Sequence, residues 1–441
     1  MRSLKEWFFN QPDKPVVMSK PEIDRTYRKF RIEIVTAVFL SYAVFYLTRK
    51  NFSAAAPMML EQTSLTAEHF AVMSSIFYIL YGSMKFVGGM VVDKINPRAM
   101  TGPALIGVGI VNILFGFSDS ITAFYILYAL NAILQGTSFP PMAKIMASWF
   151  SKNERGRWWA IVEAAHNIGG SLAPLLTSFA IAWSGSWKMG FYVPGAISLV
   201  MGILALIMIK DRPGSEGLPS VGEWRNDPTE LAQVKASPSN LGFWEIFFKY
   251  ILKNPLVWVI IVGDLCVYIA RTILNDWPQI YYVQAHGWDL VKANSIITWF
   301  EAGGLAGGLI AGYLSDFLFR SNRWMTGLMF ALMLCVSIVL VPVVQDSSYI
   351  LTACLFTIMG FALYGPHMLF AVGCLDVTHK DAAGSITGFR GLFSYVGAAL
   401  AGVPVVMIKN VWQWDGVYMY ALISILITTL SLAILAKFHR L

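Results

Sequence analysis

Two arginines interrupt long apolar segments of this chain, and each is the last of three polar residues that have the same spacing. The two sets, each at positions i, i+4 and i+7, are Tyr42, Tyr46, Arg49 and Asp264, Tyr268, Arg271. This spacing places each set on one face of a helix. An arginine at the centre of a membrane helix costs about 3 kcal/mol on insertion scales, so it persists where it faces a cavity and a partner. The repeat therefore predicts an anion held between two similar halves of the chain.

The composition agrees with a membrane protein. The chain has 441 residues, of which 56% are hydrophobic and only 13% are charged, whereas a soluble protein carries about 25% charged residues. Segments of about 20 apolar residues, each long enough to cross a bilayer, recur along the sequence. The twelve predicted spans are 30–59, 66–91, 99–117, 121–149, 157–183, 189–209, 254–283, 290–315, 324–344, 348–375, 382–407 and 413–436. We expect an all-α membrane protein of twelve transmembrane helices in contact with a lipid bilayer.

The distribution of basic residues predicts the orientation in the membrane. Basic residues precede the first span and follow every even-numbered span, as shown by Arg25, Arg28, Lys29, Arg31, Lys94, Arg98, Lys152, Arg155, Arg157, Arg320, Arg323, Lys380, Lys437 and Arg440. The opposite loops hold mainly Lys188, Lys292 and Lys409. The positive-inside rule then places both termini in the cytoplasm. Because the net charge of +7 is explained by this bias, we expect no nucleic-acid partner.

Several classes of protein are disfavoured by what the sequence lacks. The first 20 residues have no apolar core followed by a small-residue cleavage site, so a removable signal peptide is not expected. Four cysteines, Cys266, Cys335, Cys354 and Cys374, show no metal or redox spacing, and we expect them to be packing residues without a disulfide. Motifs for nucleotide binding, zinc-dependent proteolysis or a serine nucleophile are not found. We therefore expect neither a cofactor nor an enzyme.

A polar stretch divides the chain into two groups of six spans. It contains Pro213, Pro219, Pro228 and Pro238 with charges of both signs, which is typical of a linker. The predicted domains are a cytoplasmic N-terminal segment (1–29), a first bundle (30–210), a linker (211–253), a second bundle (254–436) and a tail (437–441). Asp93 and Asp316 follow the second and eighth spans at nearly the same offset as the two arginines, which indicates an internal duplication. Transporters built in this way bind their substrate near the midplane, between the bundles.

Several motifs resemble those of a known superfamily. The segments Gly89-Met90-Val91-Val92-Asp93-Lys94, Gly312-Tyr313-Leu314-Ser315-Asp316 and Arg155-Gly156 resemble loop signatures of the major facilitator superfamily. More narrowly, Tyr46 to Phe52, Ala165 to Gly170 and Asn275-Asp276-Trp277 are similar to the organophosphate:inorganic-phosphate antiporter family. The phrase from Gly217 to Arg225 and the residues Glu22 to Arg28 resemble most the bacterial hexose-phosphate sensor and transporter subgroup. The resemblance covers essentially the whole chain and implies a transporter with the major facilitator fold.

The candidate binding residues follow from the chemistry of phosphate. The planar guanidinium groups of Arg49 and Arg271 match phosphate oxygens in a bidentate way and remain charged, and the resemblance assigns both to phosphate binding. The alternative is that each arginine pairs with a buried acid and only holds helices together. Tyr42, Tyr46 and Tyr268 share these helix faces and can donate hydrogen bonds, although tyrosines in membrane helices also serve in packing.

Four further polar residues lie within predicted spans. His166 would gain a proton near a phosphate dianion and become a third donor, and the alternative is a neutral histidine bonded to a carbonyl. Lys85 contributes to a positive cavity, or else extends its amine to the membrane surface. Glu163 lies one turn before His166, where the family usually has an amide, so that an acid there could raise the positive character of His166 or counter a cation.

Arg390 has no acid within one turn of its own helix. Its partner is an acid on another helix, Glu163 or Asp264, or a backbone carbonyl, or the substrate itself. In the last case the substrate would carry a second negative group. Asp264 lies two turns, about 10 Å, from Arg271, so we do not expect those two residues to pair directly.

Other residues are predicted to have gating or structural roles. Asp93, Asp316 and Arg155 are expected at the cytoplasmic face, where they would form ion pairs when that face closes. The glycines at spacing four after Glu301, namely Gly304, Gly308 and Gly312, predict close helix packing.

The function predicted from these observations is exchange of a phosphorylated organic anion for inorganic phosphate by alternating access. The organic anion would be of the hexose phosphate, glycerol phosphate or phosphoglycerate type, and the site would lie in the bacterial inner membrane. The alternative is a membrane sensor of external sugar phosphate that signals to a partner histidine kinase, with or without transport.

Overall fold

The computed structural model describes residues 8–9, 11–92, 95–228, 231, 247–318, 322–344, 348–374, 376–378 and 383–438. Fourteen helices of nine or more residues account for most of them. In chain order they are α1 Lys20–Gln62, α2 Ala67–Val91, α3 Pro97–Phe117, α4 Ile121–Gly136, α5 Phe139–Trp149, α6 Lys152–Ser184, α7 Met189–Met208, α8 Pro255–Asp276, α9 Pro278–His286, α10 Leu290–Phe317, α11 Arg323–Val339, α12 Tyr349–Gly373, α13 Ala383–Leu400 and α14 Val403–Phe438. Shorter helical turns cover Gly214–Glu216, Val221–Arg225, Phe247–Leu252 and Val341–Val344.

These helices form the predicted twelve passes. The fourth pass is α4 with α5, and the seventh is α8 with α9. The eleventh pass is α13 with the first part of α14, which kinks at Gln413 (φ 55°, ψ −158°) before the twelfth pass begins. Seven of the described helical stretches are long and apolar enough to cross a membrane by length and composition alone, one of them being the merged stretch 385–438. Of the remaining passes, the fourth is divided between α4 and α5, and α11 has only 17 residues. The helices α6 and α10 are long and unbroken but contain more polar residues.

Local sequence accounts for several helix starts. Asn96, Asn254 and Asp289 each accept a hydrogen bond from a backbone amide in the first turn of the following helix, which satisfies one donor that the helix leaves free. Proline occupies the first turn of α3, α8 and α9, where its missing amide hydrogen has no consequence. Polar caps of this kind set where α3, α8 and α10 begin.

The first helix is longer than its predicted span. It begins at Lys20, ten residues before the predicted start of the span, and its 43 residues reach about 65 Å at 1.5 Å per residue. Ser19 and Glu22 form a capping box at this start, which extends the helix beyond the bilayer. Because the chain crosses an even number of times, Lys20 and Phe438 lie on one face of the molecule, here called the terminal face.

Part of the predicted linker packs against the first half. The Trp224 ring stacks on Tyr27 with centroids 4.2 Å apart, and the Tyr27 hydroxyl donates to the Pro219 carbonyl. Glu154 forms ion pairs with both Arg31 and Arg225, each with an N–O distance of 2.7 Å. Residues 211–228 are thereby attached to α1 and α6, while most of the remaining linker lies outside the described residues.

The two halves pack through helix pairs that place a space between them. Within the halves, α1 packs on α6, α3 on α7, α8 on α14, and α10 on α12. Between the halves, α6 contacts α10 and α2 contacts α13. These are the contacts expected when two six-helix bundles face each other across a central site.

Glycines permit the closest of these helix contacts. At Gly303, Gly307 and Gly360 an added Cβ would overlap the backbone of the facing helix, so α10 and α12 approach closely. The prediction of packing at Gly304 and Gly308 holds, with Tyr364 and Met368 as neighbours, but at Gly312 nothing lies within 4 Å of an added Cβ. The prediction for Gly312 is wrong because the end of α10 diverges from α12.

We predict that Gly360→Ala destabilises the protein, because the new Cβ would overlap the Phe300 carbonyl. Overpacking of this kind costs about 1–3 kcal/mol, and thermal unfolding of the detergent-purified protein should show a lower midpoint. Gly312→Ala is the matched control and should leave the midpoint unchanged. Equal midpoints for both variants would contradict the close approach of α10 and α12.

Candidate functional site

A cavity of about 570 Å³ lies between the two halves. All eight residues predicted to bind substrate line it, namely Tyr42, Tyr46, Arg49, Lys85, His166, Tyr268, Arg271 and Arg390. The first five come from α1, α2 and α6 in the first half, and the others from α8 and α13 in the second half. The helical spacing in the sequence therefore identified the faces that meet in the structure.

Arg49 is buried without an acidic partner among the described residues. Its Nε atom donates to Gln135 Oε1 at 2.9 Å, and its guanidinium lies over the rings of Tyr46 and Tyr81, at 4.6 Å and 4.2 Å from their centroids. Its Nη2 atom has no hydrogen-bond partner. Removing a cation from water without an anion is costly, so the structure leaves Arg49 with unused capacity for an anion. The structural alternative, a buried acid paired with Arg49, is not what the described residues show.

Arg271 is held by neutral groups from both halves. Its Nη2 atom lies 2.8 Å from His166 Nε2 and donates to the Tyr364 hydroxyl at 3.1 Å. Tyr364 in turn donates to Glu301 at 2.7 Å. Glu301 is fully buried and also accepts from Asn275 and Asn167. The Glu301 carboxylate is therefore connected to Arg271 through the Tyr364 hydroxyl and does not contact the guanidinium group directly.

The contact between Arg271 and His166 defines the state of the imidazole. An arginine can only donate hydrogen bonds, so His166 Nε2 accepts and the ring is neutral in this arrangement. His166 is therefore an acceptor from Arg271 in this structure and not the third donor that the sequence predicted. A phosphate between the arginines would have to displace this bond before His166 could donate to it.

The three tyrosines occupy different positions in the wall. Tyr46 lies against Arg49 and against the His166 ring, with ring centroids 4.7 Å apart. Tyr42 packs edge-on against Tyr46. Tyr268 contacts His367, whose Nε2 atom lies 3.2 Å from the tyrosine hydroxyl. Tyr46 is thus next to both Arg49 and His166, whereas Tyr268 lies beside a second histidine, His367.

Lys85 contributes its charge to the cavity and does not extend to the membrane surface. Its amine lies 4.2 Å from the centroid of Phe139 and donates to the Tyr395 hydroxyl at 3.4 Å. Aromatic faces stabilise a cation in this position. The structure thereby favours the first of the two alternatives for Lys85.

Arg390 has an internal partner. Its Nη1 atom lies 2.7 Å from Asp264 Oδ2, and Ser394 donates to the same oxygen. Of the alternatives left open by the sequence, an acid on another helix is the one observed, and Asp264 is that acid. The expected lack of a direct pair between Asp264 and Arg271 agrees with this arrangement.

The halves are joined on the face opposite to the termini. Lys50 forms an ion pair with Asp276 at 2.6 Å, and Tyr78 donates to the other oxygen of Asp276. On the same side Ser171 and Thr298 exchange two hydrogen bonds. Further bonds between the halves join Asn294 to Ala54, Ser75 to Ala399 and Asn410 to Glu68.

The cavity lining extends in the other direction. It includes residues near the terminal-face ends of five helices, namely Phe86, Ala143, Trp159, Val372 and Thr387. The cavity is therefore closed on the opposite face and directed toward the terminal face.

Of the predicted gating residues, Arg155 lies near the terminal face. Arg155 donates to the carbonyls of Phe150 and Ala147, so it caps the end of α5, where a cation is favourable. Asp93 and the side chain of Asp316 lie outside the described residues, and their gating role stays a prediction. The four cysteines are free thiols; Cys266, Cys335 and Cys374 are buried, as predicted for packing residues, whereas Cys354 is exposed.

Sequence reasoning missed several residues of the site. Gln135 and Tyr364 contact Arg49 and Arg271 directly, whereas Glu301 binds Tyr364 and Asp276 pairs with Lys50. The facing sides of the helices that carry them cannot be deduced from one chain. For Glu301 there was a signal, because an acid inside an apolar span requires a partner. Asp276 itself belongs to the Asn275-Asp276-Trp277 motif, but the motif does not indicate its pairing with Lys50.

We predict that Asp276→Asn opens the face opposite to the termini, because it leaves Lys50 buried and unpaired, which costs about 3–5 kcal/mol. Spin labels at Ser64 and Val411, on either side of this face, should report a larger population of long distances. The control is Asp119→Asn, which removes an exposed ion pair with Lys188 on the same side of the first half. Identical distance distributions for parent and Asp276→Asn would show that this pair does not hold the halves together.

We predict that Arg390 and Asp264 act as a unit. Arg390→Gln and Asp264→Asn should each lower the unfolding midpoint, since each leaves one buried partner unpaired. The double variant should recover much of the loss and keep the parent's ratio of affinities for glucose 6-phosphate and 3-phosphoglycerate. A changed ratio in the double variant would show that Arg390 contacts the substrate instead.

Comparison with known proteins agrees with this geometry. Residues 38–402 match the family described as the Major Facilitator Superfamily. The membrane sensor protein UhpC of Escherichia coli (strain K12) is 41% identical over 420 residues, which cover 95% of each chain. A probable hexose phosphate transport protein of Chlamydia pneumoniae is 35% identical over 421 residues, covering 93% of this chain and 92% of that protein.

A solved structure shows the same fold at low sequence identity. It is a bacterial homologue of the human lysosomal transporter Spinster, with a TM-score of 0.72 and 14% identity, covering 92% of this chain and 97% of the other. The fold prediction is thereby confirmed. The chain belongs to the Major Facilitator Superfamily and, within it, to the organophosphate:inorganic-phosphate antiporter family that its motifs predicted.

Proposed function

We propose that this protein exchanges a phosphorylated organic anion for inorganic phosphate across a membrane. The single observation that carries the proposal is the position of Arg49 and Arg271 in one cavity, each contributed by a different half. Arg49 keeps one buried nitrogen without a hydrogen-bond partner. Two guanidinium forks from opposite walls suit a phosphoryl group, whose oxygens can accept from both at once.

Neighbouring side chains would complete the phosphate site. Tyr46 and His166 lie between the arginines, and Lys85 adds a third uncompensated cation along the wall. A phosphate would replace the bond between Arg271 and His166 with bonds to its own oxygens. Tyr42 and Tyr268 are proposed to line the path of the organic part of the substrate, while Arg390, which is paired with Asp264, is proposed to support this wall without contacting the substrate.

Electrostatics gives a reason for exchange. If the protein changed conformation with an empty cavity, Arg49 and Arg271 would come together without an anion in a region of low dielectric constant. A bound phosphoryl group compensates both charges, so the loaded protein would change its direction of access more readily. Both substrates would use one site, and opening the opposite face requires separation of Lys50 from Asp276.

The relatives support this class of substrate. The similarity covers 92% of a relative named a probable hexose phosphate transport protein. The name of that relative indicates a phosphate ester as its substrate. We propose that the substrate is of the hexose phosphate, glycerol phosphate or phosphoglycerate type. No enzymatic reaction is proposed, because the cavity residues are suited to binding an anion and include no paired nucleophile and base.

A second function is favoured by a specific similarity. The relative that is 41% identical is named a membrane sensor protein, so the cavity could detect external sugar phosphate and signal to a membrane histidine kinase. Uptake into liposomes separates the two functions. Exchange of labelled phosphate for unlabelled phosphate by the purified protein supports transport, whereas binding without exchange supports a sensor.

The proposed location is the bacterial inner membrane with the terminal face in the cytoplasm. The basic residues of α1 and α6, including Arg31 and Arg157, lie toward this face, in accord with the positive-inside rule. The cavity would then be directed toward the cytoplasm.

We predict that Arg49→Lys and Arg271→Lys each lower phosphate exchange at least tenfold, because lysine keeps the charge but loses the bidentate fork. The measurement is counterflow of labelled phosphate in liposomes. Arg157→Lys, an exposed position outside the cavity, serves as the control and should be unaffected. Near-normal exchange by both cavity variants, with normal insertion, would show that the arginines are structural.

A further inference from the structure

Glu163 is a carboxylate in the cavity wall that the proposed phosphate site does not use. It lines the cavity from α6 and is partly exposed to it. Within the described part of the chain it forms no ion pair, unlike Asp264 and Asp276, and it lacks the three hydrogen bonds from Tyr364, Asn275 and Asn167 that hold Glu301. An acid in an apolar span is costly unless it is used, so its presence in an anion-binding cavity requires a reason.

The cations near Glu163 are engaged elsewhere. Lys85 is directed to Phe139 and Tyr395, and Arg390 is paired with Asp264. His166, which the sequence suggested as a partner, instead contacts Arg271 and Tyr364. Glu163 therefore interacts with these charges through space and accepts a hydrogen bond from the indole of the neighbouring Trp159. Because a carboxylate offers about four acceptor sites, it keeps capacity for a ligand in the cavity that it lines.

The position of Glu163 places it beyond the phosphate site toward the open end. Trp159, Glu163 and His166 have i, i+4 and i+7 spacing on α6, and all three line the cavity. At 1.5 Å per residue, Glu163 lies about 4.5 Å along the helix axis from His166, and Trp159 about 10 Å from it. Since His166 contacts Arg271, a ligand whose phosphate lies between the arginines would extend its organic part past Glu163 to Trp159.

An acceptor and an aromatic ring meet at this level. Trp159 packs edge-on against Phe139, with ring centroids 5.8 Å apart, which holds the indole in the wall. An ionised carboxylate only accepts hydrogen bonds and can accept from more than one hydroxyl, and such charge-assisted bonds are the strong ones. The aromatic ring supplies an apolar surface for the carbon skeleton. A second carboxylate in this position would instead be repelled by Glu163.

We propose that Glu163, with Trp159 beside it, determines specificity by accepting hydrogen bonds from the hydroxyl groups of a sugar phosphate. The inference rests on the proposed function, because it takes the phosphate to lie between Arg49 and Arg271. It adds a residue that selects polyhydroxylated phosphate esters and discriminates against phosphorylated carboxylic acids. Inorganic phosphate has no organic part and does not reach Glu163.

The test is equilibrium binding to the purified full-length protein of three probes: inorganic phosphate, glucose 6-phosphate and 3-phosphoglycerate. In Glu163→Ala we expect glucose 6-phosphate to bind about tenfold more weakly, with phosphate affinity unchanged within twofold. In Glu163→Gln the loss should be smaller, because one acceptor oxygen remains, and 3-phosphoglycerate should bind more tightly than in the parent. Glu61→Gln, an exposed acid at the end of α1, is the control and should leave all three affinities unchanged.

Monodeoxy analogues of glucose 6-phosphate give an independent readout. Removing the hydroxyl that contacts Glu163 should weaken binding to the parent but not to Glu163→Ala, and this non-additivity is the signature of a direct contact. Additive losses for every analogue would overturn the inference, as would an equal loss of phosphate and glucose 6-phosphate affinity in Glu163→Ala. If the parent protein binds neither phosphate nor glucose 6-phosphate, the proposed function itself is wrong. If the parent binds both, and Glu163→Ala keeps the same ratio of the two affinities, only the role of Glu163 is wrong.

Discussion

The arrangement of this protein depends on two arginine side chains held in a region from which lipid and most water are excluded. A guanidinium cannot lose its charge, and moving it away from water without a partner is unfavourable. Arg271 is stabilised by His166 and Tyr364, and Arg49 by Gln135 and two aromatic rings. These partners are all neutral, so they reduce the cost of burial without cancelling the charge. The remaining positive potential is what attracts an anion.

The acids of the protein are placed in accord with this requirement. Asp276 pairs with Lys50 and Asp264 with Arg390, while Glu301 reaches Arg271 only through the Tyr364 hydroxyl. If any of these carboxylates contacted Arg49 or Arg271 directly, it would compete with a phosphate for the same donors. Indirect contact through a hydroxyl keeps Arg271 in position but available. The separation of acids from the two arginines is thus part of the binding site.

The same charges connect binding with the conformation of the helices. The ion pair of Lys50 and Asp276 lies next to both arginines in sequence, since Lys50 follows Arg49 and Asp276 is on the Arg271 helix. A ligand that draws Arg49 and Arg271 together acts on the helices that carry this pair. On the terminal face, Trp224 and Arg225 attach the start of the linker to the first half. Rigid halves and a breakable contact between them are what alternating access requires.

The sequence alone determined the membrane class, the twelve passes, the division into halves and eight of the residues that line the cavity. These follow from local rules, because hydropathy and a 3.6-residue period depend only on neighbours along the chain. Only the tertiary structure decided which side chains pair. The sequence left several possible partners for Arg390, and the packing of α8 on α13 brings Asp264 into contact with it. The direction of the cavity, the closure at Asp276 and the roles of Gln135, Tyr364 and Glu301 likewise depend on contacts between distant helices. Such contacts are set by the simultaneous packing of all helix faces, and no period or composition of a single segment encodes them.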